Sequence, residues 1–257
     1  MIKKIIALTL ALVIAFPFSG CGGGDSSSNN NSSGGGSSSG SGSPAKTKTP
    51  SDAYETYQNL KTNAYNRISD QIGKHDELAL SAGLALLPLV LVDLSLIPLT
   101  ILGTEGGELA LSFLGMQGIT IDHKGDLYTI TYTDSDGESM KLTCELDAET
   151  DSMQSSISGG ASGESLIFEY VKNANGGGYA SQYVTLNSGG GDYTLIKMYF
   201  DESNEVAISI GTVNEKPDSI FRKTGLTADF AKSGPSYFIF KDDSLTVFKD
   251  GETKTYQ

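Results

Sequence analysis

The chain has no tryptophan, two cysteines and two histidines among 257 residues. No Cys-x-x-Cys pair, His-Glu-x-x-His sequence or Gly-x-Ser-x-Gly elbow is present, so the usual motifs for metal ligation and nucleophilic catalysis are missing. Basic residues are also scarce, because 18 Lys and Arg stand against 31 Asp and Glu. The resulting formal charge of −13 excludes the basic face that nucleic-acid binding requires.

The two histidines do not form a catalytic pattern. His75 and His123 each lie beside acidic residues in predicted turns, and nothing in the sequence places them together. Residues 134–138 begin like a calcium loop but lack a glutamate at the twelfth position, so they are predicted to form a hairpin turn. We therefore predict no catalytic residue, no metal site and no cofactor, and a function that is not enzymatic.

The N-terminus has the features of an export signal. Lys3 and Lys4 precede an uncharged apolar run at residues 5–16, which Pro17 ends. The run has the length of a signal peptide and is too short to span a bilayer as a helix. We therefore leave residues 1–20 out of the fold.

Ser19, Gly20 and Cys21 follow this run, and the segment resembles the lipobox of bacterial lipoproteins. Phe18 departs from the leucine that the box prefers. The resemblance implies cleavage before Cys21, diacylglycerol on its sulfur, and attachment to a membrane of the bacterial cell envelope on its extracytoplasmic side. An ordinary secretory signal, with a cysteine there by chance, is the alternative.

Composition divides the remaining chain into two parts. Residues 21–48 are mostly Gly, Ser and Asn, which cannot bury enough apolar surface to fold, so a flexible linker is predicted there. A Gly/Ser chain of this length has an end-to-end distance of about 30 Å. Residues 49–257 are predicted to form one domain.

The second cysteine has a structural interpretation. Cys144 alternates with polar residues and shares the apolar face of a predicted strand with Met140, Leu142 and Leu146. If Cys21 carries lipid, Cys144 is the only thiol left and no intramolecular disulfide can form. We predict that Cys144 is buried and unreactive.

A helix is predicted from residue 49 to about Gly73. Thr49 can cap it, Pro50 suits the first helical position, and Asp52 falls three residues after the cap.

Residues 78–102 are almost wholly apolar, with Asp93 as their only charge. Pro88 and Pro98 argue against a membrane span, so a buried or membrane-touching helical pair broken near Pro88 is predicted. A carboxylate in an apolar helix is costly unless it is paired or exposed. Asp93 is therefore interpreted either as a helix cap, which we favour, or as a group facing a cavity, and it is our candidate ligand-binding residue.

The period of the apolar residues changes to two from residue 118 onward. The fold class predicted is α+β, with helices in residues 49–115 packed on a long antiparallel meander in residues 116–257, as a curved sheet or an open half-barrel. The ten predicted strands are residues 119–122, 127–133, 140–146, 166–172, 180–186, 193–200, 206–210, 237–241, 245–249 and 253–256.

Two functions from different classes are compatible with these features. The first is a membrane-anchored module that binds a hydrophobic ligand between the sheet and the apolar helices. The second is a cell-envelope structural protein that contacts another protein or a glycan through an exposed sheet face bearing some of the 12 tyrosines.

Overall fold

The computed structural model describes residues 48–103, 111–112, 115–159, 164–172, 177–187, 191–202 and 204–257. Cys21, the signal segment and residues 21–47 of the predicted linker lie outside these residues. The remainder of the chain, Lys48–Gln257, forms one compact unit.

Helix α1, Pro50–Gly73, begins at the predicted capping box. The hydroxyl of Thr49 accepts a hydrogen bond from the Asp52 amide at 3.1 Å, and the Asp52 carboxylate accepts one from the Thr49 amide at 3.2 Å. Two of the amides that a helix N-terminus leaves unpaired are thus satisfied. One side of the helix is buried, including Tyr57 and Ile68, both 0 % exposed.

Helix α2, Asp76–Ser95, corrects the predicted break at Pro88. The helix continues through this proline, and the chain changes direction only at Leu96, before a 3₁₀ helix at Ile97–Ile101. An interior proline costs a helix about 3 kcal/mol. Burial of a leucine returns roughly 1.5–3 kcal/mol, and Leu86 and Leu89 on either side of Pro88 are 2 % and 1 % exposed. The free energy of burying these leucines therefore outweighs the tendency of Pro88 to break the helix.

Eleven antiparallel strands form one sheet in which each strand pairs with its neighbours in sequence. The sheet is open, with β1 and β11 at its edges. With the helices, this architecture agrees with the predicted α+β class, although helices are few. The strands are β1 Gln117–Lys124, β2 Leu127–Thr133, β3 Ser139–Asp147, β4 Ser152–Gly159, β5 Glu164–Lys172, β6 Tyr179–Leu186, β7 Tyr193–Phe200, β8 Val206–Val213, β9 Tyr237–Lys241, β10 Ser244–Lys249 and β11 Glu252–Tyr256.

Strand β4 was not predicted from the sequence, which indicated ten strands. Met153, Ser155 and Ile157 occupy its inward positions. The serine interrupts the alternation of apolar residues that would have indicated a strand. Ser155 is only 1 % exposed, and its hydroxyl donates a hydrogen bond to the Thr143 carbonyl at 2.8 Å. A buried polar side chain thus occupies a place where the pattern expects an apolar one.

Helix α1 crosses the strands on one face of the sheet, which we call the inner face. Tyr57 in its first half bonds to Ser181 of β6, whereas Gln71 near its end donates to the Asp243 carbonyl at the β9–β10 turn, at 2.7 Å. A helix of 24 residues is about 36 Å long, which matches seven or eight strand spacings. This length explains how one helix contacts strands from β3 to β10.

The apolar segment after α1 packs into the same core. Leu96, Leu99 and Leu102 are each 0 % exposed and belong to one cluster with inward-facing residues of β2 to β10. The opposite, outer face is partly covered by a second 3₁₀ helix, Ala228–Ser233, packed on β7 and β8. In the part of the chain that the structure describes, no helix reaches the length and hydropathy of a membrane span.

Candidate functional site

Asp93 lies inside the last turn of α2, so it is not the cap of a helix segment, and that prediction is wrong. Its Oδ2 instead accepts a hydrogen bond from the Lys61 ammonium on α1. Lys61 is 3 % exposed and the Asp93 side chain is 28 % exposed, so the ion pair joins two helices with its ammonium buried and its carboxylate partly open to solvent. The sequence could not predict this pairing because 31 residues separate the partners.

Burial controls the charge state of this pair. Loss of hydration lowers the pKa of Lys61, and the neighbouring Asp93 carboxylate opposes this shift. The ammonium also lies 5.2 Å from the ring centre of Tyr183. The other carboxylate oxygen, Asp93 Oδ1, is buried and has no hydrogen-bond partner among the described residues.

Aromatic side chains fill the contact between α1 and the inner face. The Tyr57 ring stacks on Tyr170, with 4.7 Å between ring centres and 2° between planes. Its hydroxyl hydrogen-bonds to the hydroxyls of Ser181 and Tyr183, at 2.8 Å each. The tyrosines are half-buried or buried, the buried ones being Tyr54, Tyr57, Tyr132, Tyr170, Tyr179, Tyr183 and Tyr199. Tyr193 and Tyr199 pack on the outer face, so an interaction surface that bears tyrosines stays a prediction.

The remaining candidate residues are packed apart from one another. His75 contacts the Tyr256 ring of β11 at 4.9 Å, and His123 contacts the Tyr128 ring of β2 at 4.1 Å, near opposite edges of the sheet. Cys144 is 0 % exposed, as predicted, and burial raises the pKa of its thiol, which disfavours the reactive thiolate.

The acidic segment after β2 forms the predicted hairpin turn. The Asp134 carboxylate accepts hydrogen bonds from the amides of Asp136 and Glu138, at 2.9 Å each. The carboxylate that resembled a calcium ligand thus closes the turn.

A cavity of about 280 Å³ opens on the outer face of the sheet. Thr143 and Glu145 line it, and they alternate along β3 with the buried Leu142 and Cys144. Successive side chains of a strand point to opposite faces, so this cavity and the helices lie on different sides of the sheet. Residues after β8, including Pro217, form its other wall.

Glu169 lies at the base of this cavity and is 1 % exposed. Its Oε1 accepts hydrogen bonds from Gln154 Nε2 at 2.6 Å and from Ser219 Oγ at 2.5 Å. Its Oε2 accepts them from Gln182 Nε2 at 2.7 Å and from the Ile220 amide at 2.8 Å. Four donors offset the cost of burying the carboxylate and fasten residues 219–220 to the sheet.

The network around Glu169 was not predicted from the sequence, although a signal for it exists. Glu169 interrupts an otherwise apolar run in β5 whose residues face both sides of the sheet. A strand that is apolar on both faces is covered on both faces, so a single glutamate within it requires buried hydrogen-bond donors.

Comparison of the chain with family models, curated proteins and solved structures found no match.

Proposed function

We propose that the chain is a membrane-anchored extracytoplasmic lipoprotein of the bacterial cell envelope that is not an enzyme and that binds a hydrophobic ligand. Cys21 with its preceding small residues supports the anchor. The separated histidines and the buried Cys144 support the absence of catalysis.

In this proposal the sheet is an open half-barrel that curves around α1. One observation supports the curvature: residues from β2 to β10 join the helices in one cluster of buried apolar side chains.

The ligand proposed is a phospholipid acyl chain, and it contacts α2 at the rim between helices and sheet. Among the residues that the structure describes, Leu96 and Leu99 are 0 % exposed and fill the space between the helices and the sheet, so the proposed contact lies at the rim. The flank of α2 is still open, since Leu87 is 43 % exposed and Val90 and Leu91 are only half-buried. This exposed apolar flank is the observation that carries the proposal.

The distance from the membrane and the charge of the protein both favour an acyl chain as the ligand. A linker of Gly and Ser between Cys21 and Lys48 would place the folded unit at a typical distance of about 30 Å from the anchor in the membrane. The formal charge of −13 opposes attraction to anionic headgroups, so apolar contact must supply the affinity.

The two cysteines allow a matched test of the anchor. Bacteria that express the full chain are fed an alkyne fatty acid. Two quantities are then measured: the fatty-acid label on the protein and the fraction of the protein that is bound to membranes. We expect the wild type and Cys144→Ala to be labelled and membrane-bound, and Cys21→Ala to lose both properties. Equal labelling of Cys21→Ala would contradict the anchor.

Two equally exposed leucines allow a matched test of the ligand, because Leu87 is 43 % and Leu127, on the outer face, is 44 % exposed. A photoactivatable phospholipid is crosslinked to the full chain in intact cells, and the labelled peptides are identified by mass spectrometry. We expect label in Asp76–Ser95 that Leu87→Lys removes and Leu127→Lys retains. Label confined to the acylated N-terminus, or crosslinks only to another protein, would contradict lipid binding, and the second result would support the envelope-interaction alternative.

A further inference from the structure

We propose that the outer-face cavity binds one neutral sugar unit through Gln154 and Gln182. This proposal goes beyond the hydrophobic ligand, because the cavity lies on the face of the sheet that the helices do not occupy. It follows from the orientation of two amides, from the balance of charge and from the mixed character of the walls.

Glu169 determines which way both amides point. An ionised carboxylate only accepts hydrogen bonds, so Nε2 of Gln154 and Nε2 of Gln182 must face it, and the two amide oxygens must face elsewhere. Neither oxygen accepts a hydrogen bond from any residue that the structure describes. Both glutamines line the cavity, and Gln182 is only 2 % exposed. Two oriented acceptors are therefore available to a ligand with hydroxyl groups.

Charges at the cavity are balanced. The four uncharged donors around Glu169 stabilise its carboxylate without cancelling its negative charge, and the Glu145 carboxylate accepts a hydrogen bond from Arg222 at 3.0 Å. Lys216 at the wall carries one positive charge, which balances the charge of Glu169. Such a site has no strong net charge and favours a neutral ligand over an anion or a cation.

The walls combine apolar and hydroxyl-bearing side chains. Ile167 and Val184 offer an apolar surface, and the hydroxyls of Thr143 and Ser156, 2.9 Å apart, lie on the polar side. A sugar ring has the same two characters, with C–H groups on its faces and hydroxyls at its rim. The volume of about 280 Å³ is just below the roughly 300–1,000 Å³ typical of sites for drug-sized ligands, so one ring fits better than an oligosaccharide.

Saturation-transfer NMR on the full chain tests the proposal. The full chain is kept in a detergent that carries no sugar headgroup. The probes are glucose, galactose and N-acetylglucosamine, with acetate and glycine as charged comparisons whose C–H protons can be observed. Gln154→Leu removes one acceptor while Ser219 continues to satisfy Glu169 Oε1, and Ser156→Phe fills the cavity. Gln117→Leu, on the exposed edge strand β1, is the control.

We expect saturation transfer from the wild type and from Gln117→Leu to at least one sugar. We expect Gln154→Leu to weaken the affinity for that sugar by about two- to tenfold, the value of one hydrogen bond, and Ser156→Phe to abolish binding. Absence of transfer to every sugar, transfer only to acetate or glycine, or unchanged binding to both cavity variants would overturn the proposal. None of these results bears on acyl-chain crosslinking at α2, so the two proposals fail independently.

Discussion

Removal of one hydroxyl from each of the stacked rings Tyr57 and Tyr170 should change stability in opposite directions. Both side chains are 0 % exposed. The Tyr57 hydroxyl bonds to Ser181 and Tyr183, whereas the Tyr170 hydroxyl has no hydrogen-bond partner among the described residues. Tyr57→Phe therefore removes two hydrogen bonds, whereas Tyr170→Phe removes an unpaired polar atom.

The expected magnitudes are large enough to measure. An unpaired buried polar group costs about 1–3 kcal/mol, so Tyr170→Phe should raise the free energy of unfolding by about 1–2 kcal/mol after the loss of some packing. Each hydrogen bond of Tyr57 contributes about 0.5–1.5 kcal/mol, so Tyr57→Phe should lower the free energy of unfolding by about 1–3 kcal/mol.

Urea unfolding of the full chain in detergent, followed by far-UV circular dichroism and tyrosine fluorescence, gives the comparison. The chain has no tryptophan, so the tyrosine emission is not obscured. Tyr237→Phe is the control, because this half-buried ring stacks on Phe248 at 4.8 Å, away from α1, and a change below about 0.5 kcal/mol is expected. If Tyr170→Phe destabilises the protein as much as Tyr57→Phe does, the assignment of an unpaired hydroxyl is wrong.

Three further predictions concern buried polar and titrating groups. Asp93→Ala should destabilise the fold by roughly 3 kcal/mol because it leaves Lys61 buried without its partner. Adding Lys61→Met should restore most of this loss, and additive effects of the two substitutions in a double-mutant cycle would refute the coupling. Glu169→Gln should lower the free energy of unfolding by roughly 2 kcal/mol and accelerate hydrogen exchange at the Ile220 amide. Unchanged exchange would contradict the role of the carboxylate in holding residues 219–220 on the sheet. Burial raises the pKa values of the interior tyrosines above 10, so the unfolded state loses their protons first. Stability should therefore be constant just below pH 10 and fall above it by up to about 1.4 kcal/mol per pH unit for each such tyrosine, which pH-dependent urea titrations would measure.

Local signals predicted several elements correctly. The Thr49 capping box started α1 as expected, and the period-two alternation located ten of the eleven strands. Cys144 was predicted to be buried from the residues that alternate with it. These features depend on neighbours close in sequence, so a single sequence contains the information that determines them.

Other features depend on residues far apart in sequence. Helix α2 continues through Pro88 because buried leucines hold it, and Asp93 finds Lys61 on another helix. The cavity network joins Glu169 of β5 to β4, to β6 and to a segment 50 residues later. No local pattern specifies such partners, since they meet only when the sheet and its connections are assembled.

The sequence by itself determined the order of helices before strands, the position of every strand except β4, the α+β class, the strongly acidic charge and the resemblance of the N-terminus to a lipobox. Capping residues, apolar periods and composition act over a few positions, and they can be read without knowing the fold. Only the tertiary structure decided that tyrosines such as Tyr57 and Tyr170 pack between α1 and the sheet, that Asp93 is paired, and that a cavity with mixed walls opens on the outer face. Those outcomes follow from which surfaces the chain buries against one another, and burial is set by the whole assembly.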